Sequence, residues 1–83
     1  IDLQAVPVID GALEALRDGF VSGGTRRNLD WVRPHLGAGP GVTEDDLLLL
    51  ADAQTSGGLL VVGELPGHPV IGHTTAGRGI SIR

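Results

Sequence analysis

Thr43-Glu44-Asp45-Asp46-Leu47-Leu48-Leu49-Leu50-Ala51 runs straight into Asp52-Ala53-Gln54-Thr55-Ser56-Gly57-Gly58 and then into Leu59-Leu60-Val61-Val62. The first part predicts a helix. Thr43 is a good N-cap, and three acids crowd the first turn, where the positive end of the helix dipole lies. Asp46 follows Thr43 at capping-box spacing, though with the shorter acid. The four leucines are apolar on every side, so this helix is expected to be enclosed rather than on the surface. Leu59–Val62 is a short unbroken apolar run, which predicts a strand covered on both faces. A helix and a doubly covered strand joined by one polar turn call for a layered α+β domain.

Upstream, Ile1, Leu3, Val6 and Val8 give a strand pattern that ends near Pro7, which cannot donate to a ladder. Asp10 is a plausible N-cap for a helix to about Asp18, with Leu13, Leu16 and Phe20 as its buried stripe and Gly19 as its stop. Val21-Ser22-Gly23-Gly24-Thr25-Arg26-Arg27-Asn28 reads as a glycine-rich turn opening a second helix, with Thr25 as its cap. Leu29, Val32 and Leu36 repeat at helical spacing, and Pro34 stops or kinks that helix near Arg33. Gly37–Gly41 reads as a loop. Downstream, Pro66, Gly67 and Pro69 break the chain, Val70 to about Thr75 reads as a strand, and Ile80 and Ile82 flank Ser81 in a last one. The predicted order is β–α–α–α–β–β–β, with helices on one face of a small mixed or antiparallel sheet.

Composition narrows the class. Leu, Ile, Val and Phe make up 26 of the 83 residues, enough for one small core. A chain of this size buries roughly 60% of the surface it exposes when unfolded, so that core is marginal alone. There is no Cys, hence no disulfide, no thiolate metal site and no thiol nucleophile. All six cations are Arg, and the net charge of −4 argues against general nucleic-acid binding. No apolar run approaches the ~18 residues of a membrane span, and no basic leader precedes an apolar core. The chain opens without Met inside an apolar segment, so it reads as part of something longer.

Two segments can carry chemistry. In Gly23-Gly24-Thr25-Arg26-Arg27-Asn28 the glycines let the backbone approach a ligand, and the amides of Gly24, Thr25 and Arg26 are expected at a helix start without helical partners. Such amides favour an anion, most naturally phosphate, with the Thr25 hydroxyl and an arginine beside them. The same residues also read as a capped helix after a turn. Asp52-x-Gln54-Thr55-Ser56-Gly57-Gly58 gathers a carboxylate, an amide and two hydroxyls. These bind a polar ligand or a neighbouring domain, or simply hydrogen-bond local backbone. The order helix–loop–strand disfavours a dinucleotide fingerprint, and the absence of Lys excludes a Walker loop. His35, His68 and His73 are too scattered for a zinc triad, no serine sits in an elbow motif, and Trp31 reads as packing.

Gly23–Asn28 matches the pattern GGTxRN, and Leu49–Leu60 matches LLxDxQTSGGLL. Together with Ile1-Asp2-Leu3, Val6-Pro7 and Gly11-Ala12, they resemble selenophosphate synthetase (selenide, water dikinase) over about Ile1–Val62. The likeness falls in the carboxy-terminal domain that family shares with aminoimidazole ribonucleotide synthetase relatives. The resemblance implies a partial domain of that type over residues 1–83, from a cytoplasmic enzyme. That enzyme converts ATP, selenide and water to selenophosphate, AMP and orthophosphate. It implies an absent amino-terminal domain that pairs in a homodimer and carries the reactive Cys or selenocysteine, the essential Lys and most of the Mg²⁺-binding aspartates. Carried over, Gly23, Gly24, Thr25, Arg27 and Asn28 face the cleft and hold nucleotide phosphates, while Asp52, Gln54, Thr55 and Ser56 brace it. ATP and Mg²⁺ are then cofactors of the whole enzyme, with no catalytic residue or metal ligand here and nothing bound by this piece alone.

The family usually places a helix after the Leu59–Val62 strand. Here Gly63–Pro69 is too short for one and suits a hairpin-like link. One sheet face is then bare or covered by another chain, which keeps a non-catalytic assembly module in play. Sister enzymes such as thiamine-monophosphate kinase or a hydrogenase maturation factor lack the two joined motifs.

Overall fold

Helix α1 (Ala12–Arg17) begins at Gly11, whose φ of +84° makes it the entry turn in place of Asp10. It stops where expected. Gly19 sits at φ +94°, its N–H donates to the Leu16 carbonyl, and the Phe20 N–H donates to the Ala15 carbonyl. That is a Schellman motif, which a left-handed glycine completes without strain. Phe20 therefore lies past the turn and is 80% exposed, not on the buried stripe with half-buried Leu13 and Leu16. This structure is a computed structural model, and it describes residues 1–83.

Helix α2 (Gly23–Val32) starts earlier than the sequence suggests. Ser22, not Thr25, is its N-cap, and Gly23 and Gly24 form its first turn. Pro34 ends it as expected: Arg33–His35 is a single 3-10 turn, and the Arg33 guanidinium forks onto Glu44. Trp31, expected to pack, is 81% exposed.

Helix α3 (Glu44–Leu50) forms as read. The Asp46 N–H donates to the Thr43 hydroxyl oxygen, and the Thr43 N–H donates back to Asp46 Oδ2 at 2.8 Å. Hydrogen bonds from the Thr43 side chain and then its backbone hold the Asp46 carboxyl below its ordinary value. Leu47 and Leu48 are buried, whereas Leu49 and Leu50 are half-buried.

The sheet corrects the sequence reading. It has two strands, β1 (Leu36–Ala38) and β2 (Ile80–Ile82), and they run parallel, with Leu36 opposite Ile80 and Ala38 opposite Ile82. Part of the expected 37–41 loop is thus strand, and Leu36 leaves the α2 stripe for β1. A parallel pair needs a long connection, and everything from Gly39 to Gly79 supplies it. Neither Leu59–Val62 nor Val70–Thr75 forms a strand, so no hairpin spans Gly63–Pro69. From Gln54 to Gly79 the backbone makes only two bonds, His68 N–H to the Leu65 carbonyl and Asp2 N–H to the Ile71 carbonyl.

The place beside β2 is taken by the chain start. The Ile1 amino group donates to the Ser81 carbonyl, Arg83 N–H to Ile1, and Leu3 N–H to Arg83. The expected Ile1–Val8 strand is cut short there. Asp2 caps Gln4 and turns Leu3–Ala5 into a 3-10 turn. The core is Leu29 of α2, Leu47 and Leu48 of α3 and Ile82 of β2, with α1 packed on α3. No helix is long and apolar enough to cross a membrane.

Candidate functional site

Thr25 is the hub. It sits at the third position of α2, 1% exposed. Its N–H donates to Ser22 Oγ at 3.1 Å, the ordinary bond of a serine cap. Its hydroxyl donates to Asp52 Oδ1 at 3.0 Å and accepts from the Ala53 N–H at 3.1 Å. A threonine hydroxyl has one proton and two acceptor sites. With the proton committed to Asp52, Ser22 must be the donor in the 3.0 Å contact between the two hydroxyls. Every valence of the Thr25 oxygen is filled by protein.

One turn on, Asn28 Nδ2 donates to the Ala51 carbonyl at the end of α3. The two sequence motifs, more than twenty residues apart, are therefore one hydrogen-bonded unit. Helix α2 is docked on the Ala51–Ala53 corner by Thr25 and Asn28. Gly24 permits this approach, because a Cβ there would stand 3.0 Å from the Ala53 Cβ.

This changes which groups face outward. The amides expected to be free were those of Gly24, Thr25 and Arg26. Thr25 donates to Ser22 Oγ, and Arg26 donates to the Ser22 carbonyl at 3.3 Å. Gly23 and Gly24 keep amides with no protein acceptor. The Arg27 guanidinium lies back beside these two glycines, with Nη1 3.2 Å from where a Gly23 Cβ would be and Nη2 4.0 Å from where a Gly24 Cβ would be. No carboxylate pairs with Arg27; the ion pairs are Arg17–Asp45 and Arg33–Glu44.

In the second motif, Asp52 accepts from Thr25 rather than from local backbone. Gln54 folds against Gly57, its Oε1 3.0 Å from where a Gly57 Cβ would be. Thr55 and Ser56 are exposed and make no side-chain hydrogen bond to protein. A cleft of about 190 Å³ opens beside Thr25 and Asp52, walled by α1 and by Phe20, Val21 and Leu49. Ser22 is the residue the sequence reading missed. Its signal was a good N-cap three positions before Thr25, hidden by the habit of reading Gly-Gly as a turn.

A phosphate group suits the outward-facing set: two unpaired amides at a helix start and an unpaired guanidinium. A divalent cation does not, since no three Asp, Glu or His side chains converge anywhere in the chain.

No family model matches the chain, and no solved structure matches it. Curated proteins do. The chain is 46% identical over 61 residues to the selenide, water dikinase of Shewanella sp. MR-4, a match covering 74% of this chain and 16% of that protein. It is 49% identical over 61 residues to that of Porphyromonas gingivalis, covering 74% and 17%. For Carboxydothermus hydrogenoformans the values are 43%, 74% and 18%. Over that stretch the chain is similar to the selenide, water dikinases of several bacteria. It spans about one sixth of the length of these relatives.

Proposed function

We propose that the chain is part of the carboxy-terminal, aminoimidazole ribonucleotide synthetase-like domain of an ATP-dependent selenide, water dikinase, where it forms a wall of the cleft for the ATP phosphates. The observation that carries this reading is the joining of the two motifs through Thr25, Asp52 and Asn28, which leaves Gly23, Gly24 and Arg27 facing out as an anion-binding set. Identity to selenide, water dikinases over three quarters of the chain supports it.

In this reading Gly23 and Gly24 offer amides, Arg27 a charge-assisted pair, and Asn28 and Thr25 hold the helix that presents them. Asp52 and Gln54 shape the corner, and Thr55 and Ser56 line its exposed side. The whole enzyme works on ATP and selenide with Mg²⁺ and pairs as a homodimer through its amino-terminal domain. The carboxylates for Mg²⁺ belong to that other domain, so no step is assigned to the metal here, and this piece alone is inactive.

The test uses the full-length enzyme that contains this segment. Arg27→Ala removes one charge-assisted pair, worth about 1.5–3 kcal/mol, and so raises KM for ATP about 10- to 100-fold in selenide-dependent AMP formation. Arg26→Ala, whose side chain is not among the atoms nearest the Gly23 and Gly24 Cβ positions, leaves KM within about twofold. An unchanged KM in Arg27→Ala refutes the cleft role. A second reading, an assembly module on the same fold, is favoured by one observation: Leu59–Val62 stands exposed.

A further inference from the structure

The sequence contains two Asp-Gly pairs, Asp10-Gly11 and Asp18-Gly19. They stand at opposite ends of α1, and both aspartates are exposed. At such a pair the main chain can close on its own side chain, because glycine brings no Cβ to crowd the ring. The glycine nitrogen attacks the aspartyl Cγ, one water leaves, and a five-membered succinimide forms. Water then adds back at either ring carbonyl. One product is aspartate again; the other is isoaspartate, whose main chain runs through the former side-chain carbonyl. One water leaves and one returns, so no other reactant is needed. Closure has two structural requirements. The Asp-Gly peptide plane must turn towards the carboxyl, and the glycine nitrogen must give up any hydrogen bond that holds it.

The two pairs differ in both respects. At Asp18-Gly19 the Schellman motif fixes the plane. The Gly19 N–H donates to the Leu16 carbonyl at 3.0 Å and the Phe20 N–H to the Ala15 carbonyl at 3.0 Å, and both bonds break if that plane turns. At Asp10-Gly11 the Gly11 N–H donates to no acceptor in the chain. Gly11 at φ +84° and ψ −9°, with the Ala12 N–H donating to the Ile9 carbonyl, describes a type II turn whose corner residues are Asp10 and Gly11. That one bond, at 3.2 Å, is all that spans this plane locally. Upstream, Val8, Ile9 and Asp10 donate no backbone hydrogen bond, so the strand of chain before the turn is free to follow it.

We propose that Asp10 is a self-modification site, converting to isoaspartate through a succinimide with Gly11, while Asp18 is held back by the helix end around it. The product adds one methylene to the main chain just before α1. It is also a substrate for carboxyl methylation by an S-adenosylmethionine-dependent repair enzyme. Two hydrogen bonds oppose closure at Asp18 and one at Asp10, so the difference is one neutral hydrogen bond, or about 2- to 10-fold in rate. Nothing in this inference depends on the anion-binding role of Gly23, Gly24 and Arg27.

The test ages the full-length protein that contains this segment at physiological temperature and pH. Samples are then digested with endoproteinase Asp-N, which cuts before aspartate but not before isoaspartate. Isoaspartate at position 10 leaves Asp2–Arg17 uncut, and at position 18 it leaves Asp10–Leu29 uncut. The expected result is that the uncut Asp2–Arg17 fragment accumulates about 2- to 10-fold faster than Asp10–Leu29 and accepts methyl groups from S-adenosylmethionine in the presence of an isoaspartyl methyltransferase. In denaturing urea, where neither the turn nor the helix end exists, the two rates converge. Equal rates in the folded protein, faster conversion at Asp18, a ratio unchanged by urea, or an Asp2–Arg17 fragment that is absent or accepts no methyl group would each overturn the proposal.

Discussion

Replacing Thr25 with valine removes one oxygen and keeps the shape. The side chain is 1% exposed, so valine fills the same space. Three partners are left: the Ala53 N–H and the Ser22 hydroxyl lose an acceptor, and Asp52 loses a donor. A neutral hydrogen bond contributes about 0.5–1.5 kcal/mol net, and one to a charged group about 1.5–3. Asp52 and Ala53 are exposed, so water replaces much of what they lose, and the low end of each range applies. The sum is about 2.5 kcal/mol. For a domain of 60–100 residues each kcal/mol moves Tm by about 4–8 °C, so Thr25→Val melts about 10–20 °C lower. Thr25→Ser keeps the oxygen and loses one buried methyl, a loss of about 1 kcal/mol. The order wild type, serine, valine is the signature, read by circular dichroism melts and by urea midpoints at constant m. If burial alone mattered, valine would match wild type and serine would be the weaker variant. That reversed order would refute the hub.

The two glycines of the first turn separate cleanly. Gly24→Ala sets a rigid methyl 3.0 Å from the Ala53 Cβ and is expected to lose about 1–3 kcal/mol in urea unfolding. Gly23→Ala meets only the end of the flexible Arg27 side chain and is neutral or slightly stabilising, because alanine is the better helix former. Asp46 supplies a pH dependence. Its carboxyl titrates lower in the folded chain than its ordinary value of 3.8, so its contribution is present above that value and is lost as pH falls through the folded one. Urea midpoints should therefore fall below about pH 4, and Asp46→Asn should flatten that limb. Thr43→Ala, which removes the other half of the box, should destabilise by about 1 kcal/mol at pH 7.

The helices were legible because their signals are local. Thr43 with Asp46, Gly19 at a C-terminus and Pro34 past a stripe each act within one turn, and each element formed where they pointed. The sheet was not legible, because pairing is decided by partners distant in sequence. Ile80–Ile82 looked like a strand and is one, but nothing in its pattern shows that Leu36–Ala38 lies parallel beside it or that Ile1–Leu3 occupies the other side. Leu59–Val62 has the composition of a covered strand, and composition cannot supply a neighbour. At the candidate site the two motifs were visible as strings. Their contact through Thr25 and Asp52 was not, nor was the shift of the cap to Ser22, which moved the unpaired amides one step back along the chain.

That shift also divides the labour within the first motif. Thr25 and Gly24 serve the docking of α2 on the Ala51–Ala53 corner: one through a saturated hydroxyl, the other through a missing Cβ. Neither has a side-chain group left over for a ligand. Arg27 is the opposite case, exposed and without a carboxylate partner, so its replacement should change stability by no more than about 0.5 kcal/mol. In the proposed cleft, changes at Thr25 and Gly24 are expected to lower stability and nucleotide affinity together, because the Gly23 and Gly24 amides ride on the helix that these residues anchor. There Arg27→Ala is expected to lower affinity alone. Loss of both in Arg27→Ala, or loss of affinity in Thr25→Val at unchanged stability, would mean that the hydroxyl faces the ligand after all and that the Thr25–Asp52 bond is not what holds the helix in place.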